Sequence, residues 1–412
     1  MMKLPELLAP AGNLEKLKTA LLFGADAVYV GGKNFSLRAQ SDNFDFETLQ
    51  EGVRYAHELG KKVYVALNVF AHQQELQGIA AYLPELLAAK VDAVIVADPG
   101  VFRLVRKQAP NLAVHISTQA NTVNASTACF WGELGAKRVV LAREVTYKEL
   151  LDIRSQAAVQ LETFVHGAMC VSYSGRCLLS NYFTGRDANR GACTQPCRWK
   201  YALQEETRPG QFYPVEEDAH GTYFMNSKDL CLLPHLPALV AAGVDSLKIE
   251  GRMKSIHYVA TVVRVYRQAL DLLAEKPEEF AISPEWLEEL QLVSQRAYTD
   301  GFFQGSGAVD AQVYTVEKEN IAKVFCGVVT GHSGSDLLVE QRGLFAVGDS
   351  LEALPPTGER QQQRLRFLWD AKSDAVLERA PHAQQQLRLT WNESLLPVGT
   401  LLRRVLSSEE EA

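Results

Sequence analysis

Hydrophobic residues in the first 250 positions form short runs that alternate with longer stretches in which apolar residues recur at helical spacing. Most runs are rich in β-branched residues and four to seven residues long, which is typical of strands buried in a parallel sheet. The eight runs are Glu6–Ala9, Ala27–Gly31, Val63–Val69, Ala93–Ala97, Ala113–Thr118, Arg138–Ala142, Leu161–His166 and Ser246–Glu250. The stretches between them predict helices at Asn13–Phe23, Phe46–Leu59, Leu76–Ala89, Gly100–Gln108, Ala125–Leu134 and Tyr147–Gln156.

This alternation predicts an α/β fold. Repeated strand–helix units build a parallel sheet with right-handed crossovers, and eight of them favour a (β/α)8 TIM-like barrel. An open doubly wound sheet is the alternative. No Gly-x-Gly-x-x-Gly motif follows the first run, which disfavours the dinucleotide-binding form of that alternative. We therefore predict a barrel domain over residues 1–305.

The interval from residue 167 to residue 244 is too long for one strand-to-helix connection. We expect it to be a cysteine-rich insertion after the seventh strand, ending in a helix at Asn226–Ala242 that leads into the eighth. Helices are also expected at Ile256–Ala274 and Pro284–Arg296. Beyond them, short runs separated by Gly, Asp and Pro predict a small C-terminal β-barrel domain over 306–412. Its predicted strands are Lys323–Thr330, Asp336–Glu340, Ser350–Leu354, Arg364–Trp369 and Leu387–Thr390.

Composition narrows the class of protein. The 412 residues carry a formal net charge of −7, which argues against a surface that is basic throughout and leaves room for a local basic patch. No stretch approaches the roughly 20 apolar residues of a transmembrane helix. Polar residues such as Lys3 and Glu6 interrupt any apolar run at the start, so a signal peptide is not expected. The expectation is a cytoplasmic protein that does not enter the membrane, and the sequence does not specify its oligomeric state.

Four of the seven cysteines cluster within 28 residues, in the spacing Cys170-x6-Cys177-x15-Cys193-x3-Cys197. A cytosolic chain keeps its thiols reduced, so the cluster indicates a metal site rather than disulfides. A thiolate quartet can hold a structural zinc or an iron–sulfur cluster. The spacing is looser than the Cys-x-x-Cys pairs of most zinc sites and favours iron–sulfur without excluding zinc. The other cysteines, Cys129, Cys231 and Cys326, are scattered and are expected to pack as small core residues.

Polar side chains occupy strand positions that should face the barrel axis. Strand alternation predicts this inward set: Asn68, His115, Ser117, Gln119, Gln160, Glu162, Phe164, His166, Ser246, Lys248 and Glu250. Barrel interiors are usually bulky and aliphatic, and barrel active sites lie at the carboxyl ends of the strands. We therefore take His166, Glu162 and Glu250 as candidate catalytic residues, with Arg252 beside them. The alternative is a polar network that only stabilises the barrel.

Several segments together resemble the collagenase-like peptidase U-32 family, and most of all its tRNA-hydroxylating branch. They are LLAPAGN at 7–13, GADAVYVGGKNFSLRA at 24–39, FVHGAMCVSYSGRCLLSNYFTGRDANRGACTQPCRWKY at 164–201, HGTYFMNSKDL at 220–230, SLKIEGRMKS at 246–255 and VGDSLE at 347–352. The resemblance covers nearly the whole chain, and its cysteine motif is highly specific.

The resemblance implies a 4Fe–4S cluster held by Cys170, Cys177, Cys193 and Cys197. It also implies prephenate-dependent hydroxylation of the wobble uridine of tRNA at carbon 5. The historical family name implies proteolysis, but the sequence has no serine nucleophile elbow and no His-Glu-x-x-His motif. A peptidase would have to rely on His166, Glu162 or Glu250. A third possibility is a non-catalytic protein whose cluster braces a binding surface.

Candidate substrate contacts follow from residue chemistry. Arg38 and Arg252 suit the carboxylates of prephenate, since Arg recognises carboxylates in a bidentate manner, and Asn68 and Lys248 join them as inward-facing candidates. Arg186 and Arg190, with Arg198 and Lys200, flank the cysteines and predict a local contact with tRNA. Tyr182, Phe183 and Trp199 are available to stack on an unpaired base. The alternative is that these arginines only brace the cysteine segment.

Overall fold

A computed structural model describes most of the chain in two compact units, one mainly Ala25–Trp286 and the other mainly Glu317–Ala412. The described residues are 3–32, 43–69, 71–169, 203–204, 212–213, 216–218, 221–223, 226–294, 296–305, 312–313, 322–391 and 396–406.

The first unit contains a closed barrel of parallel strands. Its strands are β1 (Glu6–Pro10), β2 (Ala27–Gly31), β3 (Lys62–Leu67), β4 (Ala93–Val96), β5 (Ala113–Ile116), β6 (Arg138–Val140), β7 (Gln160–Ala168) and β14 (Ser246–Ile249). Strand β14 pairs in parallel with both β7 and β1, which closes the ring. Outward-facing aliphatics such as Leu7, Val63 and Leu247 are fully buried. This confirms the predicted TIM-like barrel.

Helices follow most of the strands and begin where the sequence supplies a cap. They are α1 (Leu14–Leu22), α2 (Phe46–Glu58), α3 (Gln73–Ala88), α4 (Pro99–Gln108), α5 (Ala125–Glu133), α6 (Tyr147–Gln156), α7 (Leu236–Ala241), α8 (Ile256–Glu275) and α9 (Pro284–Gln291). Asp45, Asp98, Asn124 and Thr146 each accept a backbone N–H from the first turn of the helix that follows. These caps fix where each chain segment leaves the barrel mouth.

Between β7 and β14 the chain forms short strands, and one of them lies where a helix was predicted. This region contains β8 (Leu203–Gln204), β9 (Phe212–Tyr213), β10 (Glu216–Asp218), β11 (Gly221–Tyr223), β12 (Asn226–Ser227) and β13 (Asp229–Cys231). Strand β13 runs antiparallel to the end of β7, with Asp229 opposite Ala168. The predicted helix at Asn226–Ala242 is therefore wrong over its first half. Strand β7 takes the backbone hydrogen bonds of β13, and α7 begins only at Leu236, after a 3-10 turn at Leu233–His235.

Two further short strands belong to the first unit: β15 (Tyr298–Thr299), which pairs with β13, and β16 (Gln312–Val313), which pairs with β12. The second unit contains β17 (Lys323–Ser333), β18 (Asp336–Gln341), β19 (Phe345–Ala346), β20 (Ser350–Leu354), β21 (Gln361–Arg364), β22 (Leu368–Asp370), β23 (Arg379–Ala380), β24 (Gln386–Thr390) and β25 (Leu401–Val405).

Seven strands of the second unit form one antiparallel sheet in the order β21-β20-β25-β17-β18-β24-β22. The sheet curls around a core that includes Leu351, Leu368 and Leu387. Its β21 edge comes close to the end of β24, where the Trp391 indole donates to Gln361 Oε1 at 2.9 Å. This confirms a separate small β domain, as the short strands predicted.

Within the described ranges, we find no helix that is both long enough and apolar enough to span a membrane.

Candidate active site at the carboxyl end of the barrel

The barrel interior contains a row of acidic and basic side chains that alternate in charge. We call this row the charge ladder, and its members are Glu6, Arg138, Glu162 and Lys248. Glu162 on β7 is fully buried, and its two carboxylate oxygens lie 3.0 Å from Lys248 Nζ on β14 and 2.9 Å from Arg138 Nη1 on β6. Arg138 Nη1 also donates to Glu6 Oε1 on β1 at 2.6 Å. Burial by itself would raise the pKa of Glu162, but the charges of Lys248 and Arg138 outweigh it and lower the pKa to about 2. Glu162 is therefore an ionised anchor in an ion-pair network.

His115 on β5 lies beside this ladder as a neutral ring. Its ring meets Tyr64 of β3 edge-on, with ring centres 4.7 Å apart. Burial, reinforced by the positive charge of Arg138, lowers the pKa of His115 to about 3. A histidine in this state is neutral at neutral pH and adds no charge to the barrel.

Tyr29 on β2 connects the charge ladder to the barrel mouth. The Lys248 ammonium lies 4.4 Å from the centre of the Tyr29 ring, in a cation–π contact. The Tyr29 hydroxyl lies 3.1 Å from Glu250 Oε2 and 3.1 Å from the Ile249 carbonyl oxygen. Glu250 follows β14 directly, so its carboxylate lies at the carboxyl end of the strands, where barrel enzymes carry out their chemistry.

Arg252 and Arg143 bring positive charge to the same end of the barrel. Arg252 is buried, and its Nη2 donates to Asn43 Oδ1 at 3.2 Å. Its guanidinium passes over Gly31, where a Cβ would lie 2.6 Å from Nη1, so a larger residue there would displace the guanidinium. Arg143 follows β6, and its guanidinium carbon lies 3.9 Å from the centre of the Phe164 ring. Within the described part of the chain, Arg143 forms no salt bridge with a carboxylate.

The loops that follow β5 and β6 are joined by hydrogen bonds. The Thr118 hydroxyl donates to the Leu141 carbonyl at 3.1 Å. The Ala142 N–H donates to the Thr122 carbonyl at 3.1 Å. These bonds fix the part of the mouth that lies across the barrel from β1.

His166 does not face the barrel axis, contrary to the prediction from strand alternation. A β-bulge changes the register between β7 and β14: Lys248 is opposite Phe164, but Ile249 is opposite His166. His166 therefore points to the same side as Ile249, away from the axis. Its Nδ1 lies 3.4 Å from the Tyr266 hydroxyl of α8, and its Nε2 lies 3.4 Å from the Tyr298 hydroxyl. Burial, with a smaller effect of Lys254, lowers the pKa of His166 to about 3.

The other predicted site residues divide into three groups. Glu162 and Lys248 meet in the barrel interior, whereas Glu250, Arg252 and Asn68 lie at the carboxyl ends of β14 and β3. The residues outside the described ranges are Arg38, Arg186, Arg190, Cys170, Cys177, Cys193 and Cys197. The catalytic and binding roles assigned to all of them stay predictions.

Three residues of the site were not predicted: Tyr29, Arg138 and Arg143. The alternation of β2 and β6 already placed Tyr29 and Arg138 on inward positions, so the pattern contained a signal for both. Arg143 lies beyond the end of β6, where alternation no longer fixes direction. The described residues contain no group of three or more His, Cys, Asp or Glu side chains that could hold a metal ion.

Comparison with known proteins gives several matches that cover most of the chain. The chain is 43% identical to "tRNA hydroxylation protein P1" of Bacillus subtilis (strain 168), over 96% of this chain and 94% of that protein. It is 40% identical to "tRNA hydroxylation protein P" of Escherichia coli (strain K12), over 90% of each chain. It is 32% identical to "23S rRNA 5-hydroxycytidine C2501 synthase" of Escherichia coli (strain K12), over 98% of this chain and 62% of that protein.

Two family models also match. Residues 12–312 match the model for peptidase family U32, and residues 322–403 match the model for its C-terminal domain. Together they cover the barrel from α1 onward and nearly all of the small β domain. The chain therefore belongs to peptidase family U32.

Proposed function

We propose that this protein is an RNA-hydroxylating enzyme that acts on carbon 5 of the wobble uridine of tRNA. The observation that carries the proposal is the identity of 43% to a tRNA hydroxylation protein over 96% of the chain. A match of that length includes the barrel strands that position Glu250, Arg252 and Arg143. A relative named for hydroxycytidine synthesis supports the wider class, hydroxylation of a pyrimidine in RNA.

The barrel mouth suits chemistry at a pyrimidine carbon. Hydroxylation at carbon 5 removes the proton of that carbon, so a nearby base assists the reaction. Glu250 is the carboxylate at the mouth, and the Tyr29 hydroxyl lies 3.1 Å from it. We assign proton transfer to Glu250 and its orientation to Tyr29.

Prephenate, the proposed co-substrate, carries carboxylates that need cationic partners. Arg143 is half-buried against Phe164 and Arg252 is buried beside Asn43, so both are held in place before a ligand arrives. Arginine suits carboxylates because its fork of N–H groups binds both oxygens. We propose that Arg143, together with Arg252, takes the carboxylates.

A 4Fe–4S cluster is proposed on Cys170, Cys177, Cys193 and Cys197, which lie outside the described ranges. Strand β7 ends at Ala168, two residues before Cys170, so the cysteine segment leaves the barrel from the carboxyl end of a strand. That origin supports a cluster close to the mouth. When bound, such a cluster supplies one-electron transfer.

Two of the three residues on which a peptidase could rely, Glu162 and His166, already have polar partners. Both oxygens of Glu162 hold cations, and both ring nitrogens of His166 lie opposite tyrosine hydroxyls. Glu250 is the candidate that remains at the mouth. The geometry therefore favours hydroxylation over proteolysis.

The proposal is tested by mass spectrometry of tRNA nucleosides from a strain that lacks this gene. We expect 5-hydroxyuridine and its derivatives to disappear, and to return when the wild-type gene is supplied on a plasmid. Supplying Glu250→Gln should not restore them. Unchanged hydroxylated uridine in the deletion strain would contradict the proposed function.

A further inference from the structure

The small β domain exposes a pair of aromatic rings at one edge of its sheet. Strand β22 is the last strand of that sheet, and its Leu368 is fully buried in the domain core. Phe367 and Trp369 flank Leu368 and therefore point outward. Their rings stack, with centres 5.8 Å apart and planes inclined by 23°. Outward positions of such a sheet are usually polar, yet Phe367 is 56% exposed, so more than half of it takes no part in packing.

Trp369 is held in place from the neighbouring strand. Arg388 of β24 lies opposite it, and the guanidinium carbon lies 4.4 Å from the centre of the Trp369 ring. Asp336 and Asp374 bind the two terminal nitrogens of Arg388 at 2.6 Å and 3.0 Å. Arg388 is therefore balanced in charge and positions Trp369, on which Phe367 stacks. A flat ligand that stacks on Phe367 meets a surface that is ordered before it binds.

Basic side chains lie in the same segment as the two rings. Residues 366–379 form a hairpin, closed by backbone hydrogen bonds such as that from the Leu377 N–H to the Leu368 carbonyl at 2.9 Å. Four cations of this hairpin and of the residues just before it are exposed. They are Arg364, Arg366, Lys372 and Arg379. Within the stretches that the structure describes, none of the four forms a salt bridge.

Most carboxylates of this segment are already engaged. Asp374 pairs with Arg388, and Asp370 accepts hydrogen bonds from the Ser373 hydroxyl at 2.9 Å and the Gln385 amide at 3.0 Å. Glu378 is exposed and has no salt-bridge partner among the described residues. A ligand therefore meets four available cations and one available carboxylate, in a chain whose formal net charge is −7.

This combination of groups narrows the ligand. Every nucleobase has a π-face that stacks on an aromatic ring, and phosphates bind Lys and Arg, so an unpaired nucleotide uses both features. A base-paired helix offers no free base face to an exposed ring. An apolar protein partner would cover the rings but would leave the four cations without anionic partners. The surface therefore favours single-stranded RNA.

We propose that Phe367, supported by Trp369, is a stacking platform for an unpaired nucleotide of the RNA substrate, and that the four cations bind the neighbouring phosphates. The small β domain is then a second RNA contact, in addition to the one predicted beside the cysteines. This proposal rests on the proposed function, since it takes the substrate to be tRNA, and it adds a binding site that takes no part in the chemistry.

The first test locates the RNA on the protein. A tRNA transcript that contains 4-thiouridine is irradiated with the full-length protein, and the tryptic peptides that carry RNA are identified by mass spectrometry. Trypsin cleaves after Arg366 and Lys372, so both rings lie in the peptide 367–372. We expect this peptide to carry RNA.

The second test measures the contribution of the exposed ring. Phe367→Ala should weaken binding of the tRNA transcript at least about fivefold, the low end for the loss of one base–aromatic stack. It should raise KM for tRNA at unchanged kcat, because the contact lies outside the chemistry. Melting temperature should stay at the wild-type value, since most of Phe367 is exposed. The matched control is Phe130→Ala, which removes a ring that is 51% exposed from α5 and should leave RNA affinity unchanged.

The third test changes the charge in both directions. Arg366→Ala with Arg379→Ala should reduce the slope of log affinity against log salt by about 0.7 for each lost phosphate contact, the value for single strands. Glu378→Gln removes the available carboxylate and should raise the affinity. Opposite effects at an unchanged melting temperature indicate an electrostatic contact with RNA.

The outcomes separate this proposal from the proposed function. If wild-type protein hydroxylates tRNA but Phe367→Ala matches it in affinity and KM, and peptide 367–372 carries no RNA, the inference is overturned and the proposed function stands. A loss of melting temperature in Phe367→Ala, parallel to its loss of affinity, assigns the ring to the fold and also overturns the inference.

A second copy of the chain is the other occupant that the tests detect. Self-association of the wild-type protein that Phe367→Ala abolishes, with RNA affinity unchanged, assigns the surface to a dimer and overturns the inference. If the deletion strain keeps its hydroxylated uridine while peptide 367–372 crosslinks to RNA, the proposed function fails and the RNA contact stands.

Discussion

The side chain of Tyr29 connects two parts of the barrel. Its hydroxyl reaches Glu250 at the mouth, while the ring below it contacts the Lys248 ammonium. In the proposed reaction the Tyr29 hydroxyl orients the Glu250 carboxylate, because a carboxylate that transfers a proton must lie within hydrogen-bonding distance of the reacting atom.

Changing Glu250 should separate chemistry from folding. We expect Glu250→Gln to abolish uridine hydroxylation while iron content and melting temperature stay at wild-type values. Tyr29→Phe should reduce the rate less, by about tenfold to a hundredfold, since it loosens the carboxylate without removing it. Single-turnover assays on tRNA measure both. Full activity of Glu250→Gln would assign that residue to the structural network.

The buried histidines predict how stability depends on pH. The pKa values of His115 and His166 are lowered from 6.5 to about 3 in the folded protein, so below 6.5 the unfolded chain binds protons that the folded chain does not. Each histidine should therefore cost roughly 2 kcal/mol of folding free energy between pH 7 and pH 5. Urea unfolding across that range measures the slope.

Replacing one histidine separates its contribution to the pH dependence of stability from that of the other. His166→Gln should remove about half of that pH dependence, because His115 remains as an internal reference. An unchanged slope would show that His166 is not held neutral.

At the scale of elements, the charge ladder joins strands that are distant in sequence, and it should behave as one unit. Glu162→Gln leaves the Lys248 and Arg138 charges buried without their shared carboxylate, which typically costs about 3–5 kcal/mol. Glu51→Gln is the matched control. Its pair with Lys18 is exposed, so its loss should destabilise the fold far less than the loss of the Glu162 carboxylate. Denaturant unfolding distinguishes these values, and equal small losses would contradict the ladder's role.

The sequence predicts the barrel strands correctly because their hydrophobic periodicity is strong. All eight barrel strands occur within a few residues of their predicted positions, because β-branched runs between amphipathic stretches have few other buried arrangements. The direction of Glu250 and Lys248 followed from the same alternation.

Periodicity failed where one residue changed the register. The bulge before His166 reverses the alternation at the end of β7, and no property of the letters Phe-Val-His announces it. Strand β13 was also missed, since three residues that pair with a distant strand leave no periodic signal. Arg143 belongs to a loop, whose geometry depends on contacts made far along the chain.

At the scale of the whole molecule, the cysteine cluster predicts an iron-containing protein. Protein purified without oxygen should be brown, with about four irons per chain. Changing Cys170, Cys177, Cys193 or Cys197 to Ala should remove the colour. Cys231→Ala should keep it, since burial raises the pKa of the Cys231 thiol and disfavours the thiolate that a cluster needs. Iron analysis and visible spectra decide, and one zinc in a colourless protein would contradict the cluster.

The acidic net charge of −7 predicts that tRNA meets a local basic surface. A double change, Arg186→Ala with Arg190→Ala, should weaken tRNA binding and reduce the slope of log affinity against log salt by about 0.9 for each lost phosphate contact. Iron content should not change. The control pair Arg103→Ala with Lys107→Ala removes the same charge from exposed positions of α4. Loss of iron with unchanged binding would mean that the two arginines brace the cysteine segment.

The pairing of Ala168 with Asp229 makes the cysteine-containing part of the insertion, residues 169–228, the loop of a hairpin in topological terms. Its two ends are held side by side by backbone hydrogen bonds that also belong to the barrel sheet. Closing such a loop costs an entropy that grows only with the logarithm of its length, so doubling the insertion costs only about 0.6 kcal/mol. A change in the length of this segment should therefore leave the stability of the barrel nearly the same.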